Sequence, residues 1–284
     1  MNWTEQDLQE VEMKLLLEGI FRVYGCDFRD YSEASLRRRL RLWLAGSGFH
    51  SFSAALGPLI RDSGLFTKFL QQITVHVSEM FRDPAFFRTL RRAVIPHLKT
   101  LPVIRIWHAG CATGQEAYSM AILLQEEELH DRCRIYATDI SPEQLRMAQE
   151  GAYPLKEMKT FASNYQKSGG KAAFSDYYTV RNDCALLMPS LKKNIIFSPH
   201  DLVTDPAFRE MHLILCRNVL IYFQAALKRR VLDLFHSCLA HRGILCLGLK
   251  ENLIGQEMAA KYDELVPRMR IFRKRDDADR TQTR

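Results

Sequence analysis

The spacing of apolar residues divides the chain into a helical front and a longer part in which strands alternate with helices. Over residues 1 to about 90, apolar positions recur every three or four residues, the period of an amphipathic helix. Thr4 followed by Asp7 fits a capping box, and Gly25 fits a helix stop. The pattern predicts helices over "TEQDLQEVEMKLLLEGIFRVYG", "SEASLRRRLRLWLAGSG", "SFSAALGPLI", "GLFTKFLQQITVHVSEMF" and "DPAFFRTLRRAVIPHLKT".

From about residue 100, short apolar strand patterns alternate with helix patterns. Helices are predicted over "GQEAYSMAILLQEEEL", over "SPEQLRMAQEG" with Ser141 as its cap, and over "QAALKRRVLDLFHSCLAHRG". Strands are predicted over "VIRIWHA", "RIYATDI", "NIIFSPHDL", "MHLILCRNV", "ILCLGL" and "PRMRIFRKR", the last at a sheet edge. This alternation predicts an α/β fold whose mostly parallel sheet is covered by helices on both faces.

Two segments do not follow the alternation of strands and helices: an insertion in the middle of the second domain and the polar C-terminal end. Residues 151 to about 192 contain a turn at "SGG" and a short strand pattern at "FSDYYTV", which indicates a small inserted β sub-domain. The polar end, 276–284, is expected to be a disordered tail. We therefore expect a helical N-terminal domain and linker over 1–90 and a second domain over 91–275 that carries the insertion.

Composition narrows the class of protein. The net charge is +7 and the pI is about 9.0, which suits an acidic partner, but no basic–aromatic ladder of a nucleic-acid binder occurs. No apolar run is long enough to span a membrane, and the start of the chain lacks a signal-peptide pattern. The seven cysteines are scattered without zinc spacing, so we expect no metal and a reducing compartment, the cytoplasm. A monomer is the default expectation.

The strand-to-helix turn "AGCATGQE" is the first candidate for chemistry. A dinucleotide fingerprint would need glycines where Ala112 and Gln115 stand, and the Gly-Lys ending of a phosphate-binding loop is absent. This spacing argues against a nicotinamide oxidoreductase. S-adenosylmethionine has no phosphate. A site for it requires small residues in the turn so that the backbone can approach closely. It also requires one acid to bind the ammonium group and another to bind the ribose hydroxyls.

Two acids stand where that ligand would need them. Glu116 follows the turn directly, and Asp139 ends the second strand, about 25 residues after Gly114. Taken singly, Gly110 and Gly114 also fit a purely structural turn, Glu116 fits a helix's first turn, and Asp139 fits a helix cap. Their joint position at the ends of consecutive strands favours a ligand crevice.

Several longer stretches resemble the CheR family, methyltransferases that esterify glutamates of bacterial chemoreceptors. They are "ITVHVSEMFRDPAFF", "AGCATGQEAYSMAILL", "YATDIS" and "ILCRNVLIYF", and the resemblance spans nearly the whole chain. It implies a class I, Rossmann-like methyltransferase domain behind the helical N-terminal domain, with S-adenosylmethionine as cofactor and S-adenosylhomocysteine as product. In some relatives the inserted β sub-domain binds a receptor's C-terminal pentapeptide, and this sequence leaves open whether it does so here.

The resemblance also implies a set of cofactor residues. Where the family has Asn, Thr and Arg in its linker motif, this chain has His76, Ser78 and Arg82, of which only the arginine is retained. The family's "GEE" is "GQE" here, and an Asn-Leu pair becomes Asp201-Leu202. The full expected cofactor set is His76, Ser78, Arg82, Ala109, Gly110, Gly114, Glu116, Asp139, Asp201, Leu202, Arg217 and Asn218.

The reaction implied is methyl transfer to a glutamate carboxylate, giving a methyl ester in adaptation signalling. A glutamate, with a pKa of about 4.3, is already ionised at neutral pH and needs no general base. Arg82 is expected to position the carboxylate with its planar fork, and Tyr222 to orient it with its hydroxyl. Otherwise Arg82 would be a salt-bridged helix arginine and Tyr222 a packed aromatic.

The expected partner is the acidic, helical methylation region of a chemoreceptor's cytoplasmic domain. In "LRRRLRLWL", Leu36, Leu40, Trp43 and Leu44 share one helical face, while Arg37, Arg38 and Arg41 point away from it. The basic face is expected to steer docking, although it also fits an ordinary solvated surface.

Other functions remain open at the level of sequence. Departures at His76, Gln115 and Asp201 leave room for an adaptor that binds the cofactor without turnover. A related sensory pathway outside chemotaxis is also compatible, as is a methyltransferase for small molecules or nucleic acid, although "SEMFRD" and "CRNVLIYF" argue against the latter.

Overall fold

The structure, a computed structural model, describes residues 3–74, 78–207 and 209–276. They form two compact units. The helical unit comprises residues 3–74 together with 201–206 and 221–231, and the sheet unit comprises the other described residues. His76 and the end of the expected tail, 277–284, lie outside the described residues.

The helical unit is built from four amphipathic helices, and the expected capping box at Thr4 and Asp7 is confirmed. Gly25 ends the first helix with φ +73°, a left-handed conformation that glycine adopts without strain. The ring centroids of Trp43 and Phe69 lie 4.9 Å apart in the core. The helices are α1 (Glu5–Tyr24), α2 (Glu33–Ser47), α3 (Phe52–Arg61) and α4 (Ser63–Ile73).

The helix predicted to run on through Phe81 ends earlier, at Ile73. Phe81 has φ +52°, its side chain is fully buried, and its amide donates to Ser119 Oγ at 2.8 Å. The apolar residues Met80 and Phe81 therefore enter the core of the sheet unit rather than continuing a helical turn. The next predicted helix is also divided, into α5 (Pro84–Ala93) and α6 (Ile95–Lys99).

The sheet unit contains a seven-stranded, mostly parallel sheet, as the alternating pattern predicts. Its strands and main helices are β1 (Ile104–Ala109), α7 (Gln115–Glu126), β2 (Cys133–Asp139), α8 (Pro142–Glu150), β6 (Ile195–Pro199), β7 (Met211–Cys216), β8 (Leu239–Leu247), α12 (Gln256–Ala259), β9 (Tyr262–Val266) and β10 (Ile271–Lys274). Helix α11 (Ala225–Cys238) begins in the helical unit and ends in the sheet unit. The order is β6-β2-β1-β7-β8-β10-β9. The chain runs outward in both directions from β1, and ligands of open α/β sheets bind where such a reversal occurs.

One prediction about the last strands and one about the helix before β8 are wrong. The final strand, β10, is not at an edge, because it pairs antiparallel with both β8 and β9. β9 takes the edge, and the sequence pattern did not predict it. The helix predicted to run to Gly243 ends at Cys238, since Leu239 already belongs to β8.

The inserted β sub-domain is confirmed as a three-stranded antiparallel sheet in the order β3-β5-β4. Tyr165 packs its ring 5.3 Å from that of Phe174 beneath this sheet. Its elements are β3 (Ala152–Pro154), α9 (Leu155–Lys167), β4 (Tyr178–Arg181), β5 (Cys184–Leu187) and α10 (Pro189–Lys192). Among the described residues, no helix has the length and apolar character needed to cross a membrane.

Candidate cofactor site at the carboxyl end of the sheet

The turn after β1 is a tight structure that depends on two glycines. The amides of Gly110 and Cys111 both donate to the Thr138 carbonyl at 2.8 Å, which ties the turn to β2. Gly110 has φ +76°, and a Cβ added there would lie 2.5 Å from Val219 Cγ2. Gly114 has φ +87°. Any side chain at Gly110 would therefore be strained and would collide with the loop after β7.

Asp139 stands at the carboxyl end of β2 and faces this turn. Its Oδ2 accepts a hydrogen bond from the Ala112 amide at 2.8 Å, and its Oδ1 accepts one from the Ser141 amide at 3.0 Å. Burial raises the pKa of the carboxyl above its ordinary value, although these amides oppose the shift. The Ile140 amide also acts on this carboxylate. Since a carboxylate offers about four acceptor positions, it retains room for a hydroxyl group of a ligand.

Glu116, in the first turn of α7, is held by two donors. Its Oε1 lies 3.1 Å from His108 Nδ1, and its Oε2 accepts from Arg217 Nη1 at 2.7 Å. Burial favours the neutral acid, but the Arg217 charge and the His108 contact outweigh it and lower the pKa of Glu116 to about 2. Glu116 is thus an ionised acceptor, and two of its four lone-pair sites remain for a ligand.

Arg217, directly after β7, joins Glu116 to a second acid. Its Nη2 donates to Asp83 Oδ2 at 2.7 Å, and its guanidinium lies 4.0 Å from the centre of the Phe86 ring. Only 1 % of the arginine side chain is exposed. We call Asp83, His108, Glu116 and Arg217 the Arg217 cluster. Two carboxylates and one guanidinium give it a net charge of −1 when the histidine is neutral.

Asn218 follows in a left-handed conformation, φ +63°, and its backbone is fixed by a buried acid. Glu251, 5 % exposed, accepts hydrogen bonds at its Oε2 from the Asn218 amide at 3.0 Å and from the Gly248 amide at 2.5 Å. This contact sets the direction in which the loop leaves β7 and so helps to position Arg217.

The structure therefore brings part of the expected set together within the sheet unit. Ala109, Gly110, Gly114, Glu116, Asp139, Arg217 and Asn218 all lie at the carboxyl ends of β1, β2 and β7 or directly after them. Ser78 and Arg82 lie in the described segment before α5, and the Arg82 carbonyl is 3.5 Å from Arg217 Nη1.

The remaining expected residues belong to the helical unit. Leu202 is buried, and the ring of Tyr222 lies beneath the guanidinium of Arg39. Asp201 Oδ1 accepts from the Val203 amide at 2.8 Å, whereas its Oδ2 is buried without a hydrogen-bond partner among the described residues. Burial raises the pKa of Asp201 to about 6.

These residues fit S-adenosylmethionine better than a phosphate-bearing nucleotide. The turn carries no lysine for a phosphate, and the nearest charges, Glu116 and Asp139, are acids. The net negative Arg217 cluster suits a ligand with a positive charge, and Asp139 retains acceptor sites for a ribose. No group of three or more metal-ligating side chains occurs in the described ranges.

Three residues of the site were missed by the sequence analysis. His108 had a local signal, because it is a polar residue in the otherwise apolar strand "IRIWHA". Asp83 and Glu251 had none, since the site residues they contact, Arg217 and Asn218, are 134 and 33 residues away in the chain.

Comparisons with known proteins agree with this geometry. A family model described as "CheR methyltransferase, SAM binding domain" matches residues 76–265, and one described as "CheR methyltransferase, all-alpha domain" matches residues 12–74. The Cher3 protein of Pseudomonas putida, a methyltransferase by its name, is 45 % identical over 95 % of this chain and 99 % of its own length. The chemotaxis protein methyltransferase of Listeria innocua is 31 % identical over 82 % of this chain and 87 % of its own.

Proposed function

The chain belongs to the CheR methyltransferase family, and we propose that it transfers the methyl group of S-adenosylmethionine to glutamate side chains of a bacterial chemoreceptor. The observation that carries this proposal is the pair of acids at the ends of consecutive strands. Asp139 and the ionised Glu116 flank a glycine turn that offers no phosphate cradle. In this assignment Asp139 accepts the ribose hydroxyls and Glu116 accepts the ammonium group.

The cofactor supplies an activated methyl group on a sulfonium, and the protein supplies binding and alignment. Because the accepting glutamate is already ionised near neutral pH, the chain's residues have no proton to remove before transfer. Correct alignment of donor and acceptor can lower a barrier by about 7–11 kcal/mol. Arg82 and Tyr222 are the residues to which we assign alignment of the acceptor carboxylate.

The receptor is proposed to approach the outer face of α2. Arg38 and Arg41 are exposed there, although Arg41 Nε also lies 3.2 Å from Gln9 Oε1. Arg37 is ion-paired with Glu10 at 2.6 Å and also with Glu33, so its charge is largely compensated within the helical unit. We therefore assign the attraction of an acidic helix to Arg38 and Arg41 rather than to all three arginines.

The inserted β sub-domain is the proposed site for a receptor's C-terminal peptide. In the part of the chain that the structure describes, β4 is an outer strand of this small sheet, paired with β5, and Val180 on it is 58 % exposed. An extended peptide can add to such an edge through main-chain hydrogen bonds. The chain is proposed to act as a monomer in the cytoplasm, where these receptor regions lie.

The test measures methyl transfer from radiolabelled S-adenosylmethionine to receptor-containing membranes. The labelled protein is then treated with alkali, and the label that is released is counted. Methyl esters are hydrolysed under these conditions, whereas N-methyl groups persist. We expect base-labile label in the receptor, and much less of it with R82A. Cofactor binding without label in a single turnover would overturn the proposal and identify an adaptor; alkali-stable label would identify another class of methyltransferase.

A further inference from the structure

His108 is a buried histidine that contacts the proposed cofactor ligand. It lies on β1 in register with Ala137 of β2 and Leu215 of β7, and 1 % of its side chain is exposed. Because Glu116 is ionised and can only accept, the hydrogen shared between them sits on His108 Nδ1. The neutral ring therefore carries its lone pair on Nε2, which has no hydrogen-bond partner among the described residues.

A second proton on this ring would change the charge of the whole Arg217 cluster. With neutral His108, two carboxylates and one guanidinium leave a net charge of −1; a proton on Nε2 brings the sum to zero. Burial raises the pKa values of the neighbouring thiols, which therefore stay neutral and cannot compensate. Among the described residues, the titratable groups that interact with Glu116 or Arg217 from outside the cluster include Cys111, Cys216 and Cys246; Asp139 and Glu251 in turn act on Cys111 and Cys216.

The two ligands of this site differ by one charge. S-adenosylmethionine and S-adenosylhomocysteine share the adenine, the ribose and the zwitterionic amino acid, but only the donor carries a sulfonium. A cluster of charge −1 attracts the donor more than the product, whereas a neutral cluster loses most of that preference. The charge of the cluster thus decides how easily the product inhibits the enzyme.

We propose that His108 determines the preference of this site for the methyl donor over its demethylated product. In the neutral form it donates to Glu116 from Nδ1 and leaves the cluster negative; in the protonated form it cancels that charge. His108 acts through Glu116, so it is a positioning residue and not a catalytic one. The inference rests on the proposed function in one respect, the contact between Glu116 and the cofactor.

The test compares dissociation constants of both ligands by calorimetry at about pH 7 and about pH 5. Below pH 7 both ligands carry a protonated amino group, so the sulfonium remains the difference. We expect the ratio Kd(product)/Kd(donor) to fall by about fivefold or more in the wild type. The ratio should stay flat in H108N, whose amide can still donate to Glu116.

A control variant separates His108 from the other histidines of the chain. H241N removes a histidine whose side chain is 73 % exposed and should leave the pH-dependent ratio as in the wild type.

A measurement on the wild type covers the case in which H108N does not fold. Calorimetry at about pH 6 in buffers of different ionisation enthalpy counts the protons released on binding. The donor should release more protons than the product, because it expels the proton from His108. Equal release, a ratio independent of pH in the wild type, or a pH-dependent ratio in folded H108N would each overturn the inference. Failure of both ligands to bind at about pH 7 would refute the cofactor site itself, and the inference with it.

Discussion

The guanidinium of Arg39 lies 5.2 Å from the centre of the Tyr222 ring. Arg39 is on the buried side of α2, where it donates to the Ser35 carbonyl at 3.2 Å and to the Ile73 carbonyl. The backbone of Tyr222 is held as well, because its carbonyl accepts from the Ser32 amide at 2.7 Å. The ring of Tyr222 thus has a structural role in the helical unit that can be separated from any role of its hydroxyl.

Replacing Tyr222 by phenylalanine tests the hydroxyl alone. Y222F keeps the ring beneath Arg39 and removes only the hydroxyl. If the hydroxyl orients the acceptor, kcat for receptor methylation should fall about tenfold or more, with the Kd for S-adenosylmethionine unchanged. Y222A serves as the contrast, because it also removes the ring and should destabilise the protein. If Y222F kept the wild-type kcat, the assignment of Tyr222 to the acceptor site would be wrong.

Replacing Glu116 by glutamine tests the ammonium site. E116Q retains the shape of the side chain but removes its charge. Asp83 is then the one carboxylate of the cluster that still binds Arg217. Loss of one partner of a buried ion pair costs about 3–5 kcal/mol, so both stability and donor affinity should fall. E143Q, which changes a surface acid of α8 paired with Arg146, is the matched control. Unchanged donor affinity in E116Q would exclude Glu116 as a cofactor ligand.

The pH dependence of that stability loss has a definite sign. The pKa of Glu116 is lowered by folding, so its stabilising contribution is present above the ordinary carboxyl range and disappears as the pH falls toward about 2. The difference in unfolding free energy between wild type and E116Q should therefore shrink in acid. Chemical denaturation over that range measures it.

For Asp201 we expect the opposite pH dependence of stability. Its pKa is raised to about 6, so the folded protein binds the proton more tightly than the unfolded chain, and stability is lost as the pH rises from about 4 to about 6. D201N should accordingly stabilise the protein by about 1–3 kcal/mol at neutral pH and have little effect near pH 4. D131N, at an aspartate whose side chain is 92 % exposed, is the control. Equal effects of D201N at both pH values would contradict the assignment.

Charge reversal on α2 tests the receptor-facing surface. R38E/R41E should slow receptor methylation at low salt and flatten its salt dependence, since both residues act on the association rate. The Kd for S-adenosylmethionine should not change. R61E/K68E alters the net charge equally at exposed positions of α3 and α4 and should methylate like the wild type. Wild-type methylation by R38E/R41E at low salt would end the steering proposal.

The sequence by itself determined the features that depend on neighbouring residues. The capping box at Thr4 and the α/β alternation could be predicted because each rests on contacts a few residues apart. The glycine turn and its two acids, Glu116 and Asp139, could be proposed as a ligand site for the same reason, since strand, turn and helix follow one another directly.

Only the tertiary structure decided what depends on distant partners. Phe81 looked helical by spacing, yet its side chain enters the core of the sheet unit; β10 looked like an edge strand, yet β9 covers it. The Arg217 cluster joins residues up to 134 positions apart. No local pattern could therefore predict that Glu116 and Asp83 bind the same arginine, or that Glu116 also contacts His108. Local hydrogen bonds and the hydrophobic period depend on residues close together in the sequence. The charge state of a buried site depends on all the charged and apolar groups packed around it, which come from distant parts of the chain.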